Sequence, residues 1–183
     1  MKDFIKSIFA GFMIGIAGLV YLNIQINWVA ALFFSIGLII ICVLNYNLYT
    51  GKIGYINSYK EIFKMLKYIL GNFIGVFLIS LTSTVNSSDL IDIKMQIPYY
   101  LLFLKSVGCG YLMFIAVDIY RKEKSILGIL CAVPAFILAG FEHSIADMFY
   151  LCCTRTFDIK YIVFIFIILI GNAAGSFIHR LIK

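Results

Sequence analysis

The 183-residue chain is 63% hydrophobic and 13% charged, and fifteen Lys+Arg against nine Asp+Glu leave a net charge of +6. A soluble domain is about half apolar and a quarter charged, and a 20.7 kDa chain has too little interior to hide this apolar excess. The composition argues against disorder, a disulfide scaffold and a nucleic-acid-binding domain, and it makes lipid the solvent that fits. Cys42, Cys109, Cys131, Cys152 and Cys153 form no CxxC and no His/Cys spacing of a zinc site. They read as small buried hydrophobes rather than zinc ligands; in the leading reading of the chain no metal, cofactor or catalytic residue is expected.

A transmembrane helix needs about 20 mostly apolar residues, and six segments qualify: 5–23, 27–50, 62–83, 99–119, 126–152 and 160–180. Met1-Lys2-Asp3 runs straight into the first of them without a small-residue cleavage site, which predicts a span rather than a removed signal. No charge occurs from Ser7 to Gly51. One helix of that length would reach about 68 Å, so two spans are expected, joined at the polar cluster Asn23–Asn27. The longest polar connection, Thr82 to Pro98, separates three spans from three. A single transmembrane domain over residues 1–183 is expected, with half-repeats of about 1–83 and 99–183.

Basic residues set the orientation. With a cytoplasmic N-terminus, the inner segments hold Lys2, Lys6, Lys52, Lys60, Lys64, Lys67, Arg121, Lys122, Lys124, Arg180 and Lys183. The outer segments hold Lys94, Arg155 and Lys160, with Lys105 near the start of the fourth span. Both termini are therefore expected inside a cell membrane crossed several times. The net positive charge becomes a topology signal that calls for no nucleic acid.

Leu70-Gly71-Asn72-Phe73-Ile74-Gly75 in the third span and Ile170-Gly171-Asn172-Ala173-Ala174-Gly175 in the sixth repeat a GNxxG pattern 100 residues apart. With three spans per half, such a repeat is inverted, and a pathway would lie at its midplane, where helices break. Each motif alone also reads as close helix packing with an asparagine as glue. The second span ends in Asn45-Tyr46-Asn47-Leu48-Tyr49-Thr50-Gly51, which fits either backbone lining a cavity or a helix end at the headgroups.

The fifth span carries Leu138-Ala139-Gly140-Phe141-Glu142-His143-Ser144-Ile145-Ala146-Asp147-Met148. Ionised groups at the bilayer centre cost about 2.5–3.5 kcal/mol each even on a lenient scale. Glu142, His143 and Asp147 therefore need partners or water, and they mark a functional site. Gly140 is the natural place for the helix to break. In a continuous helix His143 and Asp147 would share a face one turn apart, with Glu142 pointing elsewhere.

Gly140 to Met148 resembles the GFEHSxAN(M) signature of the formate/nitrite transporter family, of which this would be a short member. Gly15-Ile16-Ala17-Gly18, Leu48-Tyr49-Thr50, Leu127-Gly128 and both GNxxG motifs are similar to the family's remaining motifs and occur in the same order. The resemblance implies an all-α integral membrane protein with six transmembrane helices in an inverted 3+3 repeat, helices two and five interrupted, and an aquaporin-like protomer. It implies a homopentamer in which each protomer passes small monovalent anions (formate, nitrite or hydrosulfide) together with protons. On that resemblance His143, Thr50 and Asn172 line the substrate pore. Leu38 and Tyr49 match the cytoplasmic constriction, and Phe34 and Phe136 the opposite one.

Three positions depart from the family pattern. Asp147 replaces the motif's Asn, Gly110 replaces an asparagine of helix four, and the family lysine before helix five aligns with Ser125, leaving Lys124 as a shifted candidate. Glu142, Asp147 and Lys124 are thus expected to modulate the pore electrostatically. Two other readings stay open: a non-transporting membrane subunit on the same scaffold, and an intramembrane metal-dependent enzyme using Glu142, His143 and Asp147.

Overall fold

A computed structural model describes residues 1–181, and every regular element among them is helical. Lys183, counted above among the inner basic residues, lies outside the described residues. Helices α1 (Lys2–Asn23), α4 (Lys60–Ser80), α6 (Tyr99–Glu123) and α9 (Ile159–Ile178) are each long and apolar enough to cross a membrane. The remaining apolar sequence forms shorter pieces.

The expected second span is divided. Helix α2 (Asn27–Val43) stops, irregular backbone follows, and a one-turn helix α3 (Tyr49–Lys52) leads into a 3-10 turn, Ile53–Tyr55. The fifth is divided in the same way into α7 (Leu127–Leu138) and α8 (Ser144–Thr154). Both first pieces end in one motif. Asn45 at φ 50° and Gly140 at φ +66° take the left-handed conformation. The next amides then reach back five residues: Tyr46 N donates to the Ile41 carbonyl and Phe141 N to that of Phe136, both at 2.9 Å. This is a Schellman stop, which uses glycine or asparagine because a left-handed residue otherwise carries a Cβ penalty.

Helix α5 (Ser88–Met95) was not expected from the sequence. It lies in the polar connection between α4 and α6 and packs on α8. Ile91 is fully buried beneath it, and the Ser87 hydroxyl donates to the Tyr150 carbonyl. The connection thus folds back over the membrane domain.

Two close helix pairs frame the molecule, α1 with α4 and α6 with α9. At the second crossing a Cβ on Gly110 would stand 2.1 Å from the Asn172 carbonyl oxygen, and one on Gly175 2.0 Å from that of Val107. Only glycine allows this backbone approach, a packing device suited to lipid, where burial of apolar surface gives little drive to associate. The crossing also accounts for Gly110: a side chain there would collide with backbone. Large apolar side chains including Trp28, Phe63, Leu70, Phe77 and Phe166 cover the outside.

Candidate functional site

The two broken segments meet at Thr50 and His143. Thr50, the second residue of α3, is fully buried, and its Oγ1 lies 2.9 Å from His143 Nε2. His143 is the N-cap of α8: its Nδ1 accepts from the Ala146 amide at 3.1 Å, satisfying one of the free donors of the first turn. This replaces the one-face placement expected for a continuous helix, because His143 has extended backbone and precedes the helix that carries Asp147. The tautomer follows from these contacts. A nitrogen that accepts carries no hydrogen, so neutral His143 is protonated at Nε2 and donates to Thr50 Oγ1. The threonine hydroxyl is then left to donate elsewhere.

Asn72 and Asn172 hold the breaks in place. The Asn172 Oδ1 accepts from the Ser144 amide at 2.9 Å, while its Nδ2 donates to the carbonyls of Ser106 at 2.8 Å and Glu142 at 2.9 Å. The Asn72 Oδ1 accepts from the Tyr49 amide at 2.9 Å, and its Nδ2 donates to the carbonyls of Ser7 at 2.7 Å and Asn47 at 3.0 Å. Each asparagine ties a neighbouring helix to the residues on either side of the N-cap of the second piece, Leu48 for α3 and His143 for α8. Backbone freed from helix inside a membrane needs such partners. Asn172 is fully buried, and its amide bonds backbone on either side of His143.

Aromatic side chains pack beside His143. The Phe136 ring stacks on the imidazole at 5.8 Å and meets Phe34 edge-on at 6.3 Å. These two phenylalanines face a cavity of about 230 Å³ that also touches His143, Glu142, Asp147, Lys94 and Lys105. Leu38 lines a second cavity of about 750 Å³ together with Leu48, Gly51 and Val117, and the cations Lys52, Arg121 and Lys124 surround it. Leu48 was not singled out in the sequence, where a leucine in an apolar run carries no distinguishing signal. Tyr49 is buried beside it, and its hydroxyl donates to the Leu169 carbonyl at 3.0 Å, anchoring α3 to α9.

Lys94 is the site residue that sequence reasoning missed. It extends from α5 to form ion pairs with Glu142 and, at 3.0 Å, with Asp147 Oδ1. Burial works against its charge, yet the Asp147 and Glu142 carboxylates outweigh that and hold the ammonium above the ordinary lysine range. In the sequence Lys94 is one more outer lysine. The available signal was that two intramembrane carboxylates demand a cation. Lys124 lies elsewhere, in the cavity beside Leu38, with its ammonium 5.6 Å from the Tyr120 ring.

The metal-enzyme alternative finds no support in this arrangement. Both carboxylates face Lys94, and both His143 nitrogens have protein partners. Among the described residues no group of three His, Cys, Asp or Glu is placed to hold a metal ion.

A family model described as formate/nitrite transporter matches residues 1–182. Among solved structures, a pentameric formate channel with formate bound superposes with a TM-score of 0.86 at 18% identity, covering 99% of this chain and 94% of that one. An FNT family ion channel superposes with a TM-score of 0.78 at 22% identity, covering 96% and 84%. At these identities the likeness is one of fold. No curated protein matches the chain in sequence.

Proposed function

The chain belongs to the formate/nitrite transporter family, and on that premise we propose that it conducts small monovalent anions, of the formate, nitrite or hydrosulfide class, or their weak acids. The observation that carries this reading is the buried, hydrogen-bonded Thr50–His143 pair, with one cavity reaching His143 beside Lys94 and Lys105 and another reaching Gly51, next to Thr50, beside Lys52, Arg121 and Lys124. His143 Nε2–H fixes the Thr50 oxygen as acceptor and turns the hydroxyl hydrogen toward the pore, where it can donate to one anion at a time. Phe34 and Phe136 on one side and Leu38 and Leu48 on the other resist a bare anion, because stripping its water is costly, and pass a small neutral acid far more easily. Lys52, Arg121 and Lys124 around one mouth raise the local anion concentration.

The same reading assigns six spans, counting α2–α3 and α7–α8 as one each, arranged as a 3+3 inverted repeat with halves of about 1–83 and 99–183 and an aquaporin-like protomer. The matched Schellman stops and the matched Asn72 and Asn172 contacts support it. Five protomers would associate in a cell membrane, as in the pentameric formate channel, with both termini and the Lys124 cavity on the cytoplasmic side. Surrounding lipid and neighbouring protomers would cover the apolar exterior.

A proteoliposome assay with formate, nitrite, hydrosulfide and acetate between about pH 5 and 8 tests the proposal, the range spanning ordinary carboxyl and histidine titration. Wild type should exceed empty liposomes for at least one of the first three anions. His143→Phe and Thr50→Val should each lower that flux by about a hundredfold or more, the scale on which one aligned donor acts in a closed site. No flux of any of these anions through the wild-type protein would refute the proposal.

A further inference from the structure

We propose that Glu142 and Asp147 hold one exchangeable proton between them at neutral pH, and that this proton is the one transferred to an anion arriving in the adjoining cavity. Asp147 thereby becomes the acid of a weak-acid pathway. The inference rests on the transport reading above and adds the proton's source.

Charge balance around the pair comes first. Glu142 is 3% exposed and Asp147 1%, and within ion-pair distance among the described residues they share the single ammonium of Lys94. Both ionised would leave one uncompensated negative charge in a membrane interior, a state that proteins avoid by binding a proton. Hydrogen bonding gives an independent reason. Asp147 Oδ2 has no hydrogen-bond partner and Oδ1 is met only by the Lys94 ammonium at 3.0 Å, although both are buried and the residue lines the cavity. An ionised carboxylate is acceptor-only and would keep a single donor here, itself shared with Glu142, whereas a protonated one can donate to Glu142 or into the cavity.

The remaining groups that face the pair do not remove the imbalance. Lys105 on α6 lines the same cavity but is not within ion-pair distance of either carboxylate, so its charge is available to attract an anion. Cys109 on α6, Tyr21 on α1 and Tyr150 on α8 bring no cation to the pair, and the Lys94 ammonium lies 6.0 Å from the Tyr150 ring. His143 cannot readily supply the proton. Charging it would place a hydrogen on Nδ1 and break the cap of α8.

The transfer step balances. Formate enters beside Lys105, the O–H bond of the carboxylic acid breaks, and its electron pair stays on the carboxylate. A new O–H bond forms on formate, and neutral formic acid passes the Phe34–Phe136 constriction. Water on the α5 side returns a proton to the carboxylate pair. Net movement is one proton with one anion, without net charge. An asparagine at position 147 would hold no such proton.

Infrared difference spectroscopy of the full chain in liposomes tests the charge state without any flux. At neutral pH the wild type should show the carbonyl stretch of a neutral carboxylic acid, shifted in heavy water and absent from Asp147→Asn. In parallel, Asp147→Asn should lower formate entry from the α5 side by about a hundredfold near pH 7.5, the lower end for losing a positioned acid. Near pH 5, where bulk solution supplies formic acid, entry should stay within about twofold of wild type. A wild-type spectrum with only carboxylate bands overturns the proposal. So does Asp147→Asn matching wild type at both pH values while the band is present. Absence of wild-type formate flux refutes the transport reading and the donor role with it, and the spectrum then reports separately whether the proton is held.

Discussion

Replacing Asn172 by alanine removes three hydrogen bonds at once, to the Ser144 amide and to the carbonyls of Ser106 and Glu142. All three lie in the buried interior. A buried group left without its partner costs about 1–3 kcal/mol, so the variant should lose roughly 2–6 kcal/mol if about two of the three stay unpaired. The loss falls on the two residues flanking His143, so the imidazole should also lose its alignment with Thr50. Thermal unfolding in detergent reads the first effect and formate flux into liposomes the second. Asn72→Ala is the matched comparison, because it removes the same kind of contacts from the α2–α3 break. Both variants should melt well below wild type, and neither should approach wild-type flux. An Asn172→Ala protein with wild-type melting and wild-type flux would refute the assignment of these asparagines as the clamps of the two breaks.

Lys94→Met should destabilise the protein by about 3–5 kcal/mol, since it leaves buried carboxylates without their cation; combining it with Asp147→Asn should recover part of that loss in the same melting assay. A lysine raised above its ordinary 10.5 stabilises the fold below that value and loses the contribution only as pH climbs through its folded value. Melting should therefore show no loss attributable to Lys94 between about pH 6 and 9. Gly110→Ala should cost about 1–3 kcal/mol or more, the usual range for overpacking, because the added carbon would meet the Asn172 carbonyl at 2.1 Å. Changing Lys52, Arg121 and Lys124 together to glutamine should raise the formate concentration for half-maximal flux from that side several-fold. It should also weaken the dependence of flux on ionic strength, as expected of a charged mouth.

Much of the site was legible because lipid makes polar residues conspicuous. In a span where a charge costs several kcal/mol, Glu142, His143 and Asp147 stand out, and Gly140 marks the break beside them. The two GNxxG motifs were visible as a repeat, but the pattern allowed either packing or a pore. Their glycines serve close packing, and their asparagines clamp the breaks. Lys94 was not legible: it is 48 residues from Glu142 in a connection that reads as polar loop. Helix α5 was missed for the same reason, since its eight residues have no strong apolar period.

The sequence by itself determined that this chain lives in lipid, where its long helices run, and which apolar span holds ionisable groups. Those properties follow from transfer free energies, which depend on residue type and segment length alone. Only the tertiary structure decided which groups meet. It brought Thr50 to His143 across 93 residues, set Asn172 to clamp backbone, and put Lys94 between two carboxylates. Such pairings depend on where two chain breaks and one returning connection converge, and hydrogen bonds and ion pairs form only at contact distance.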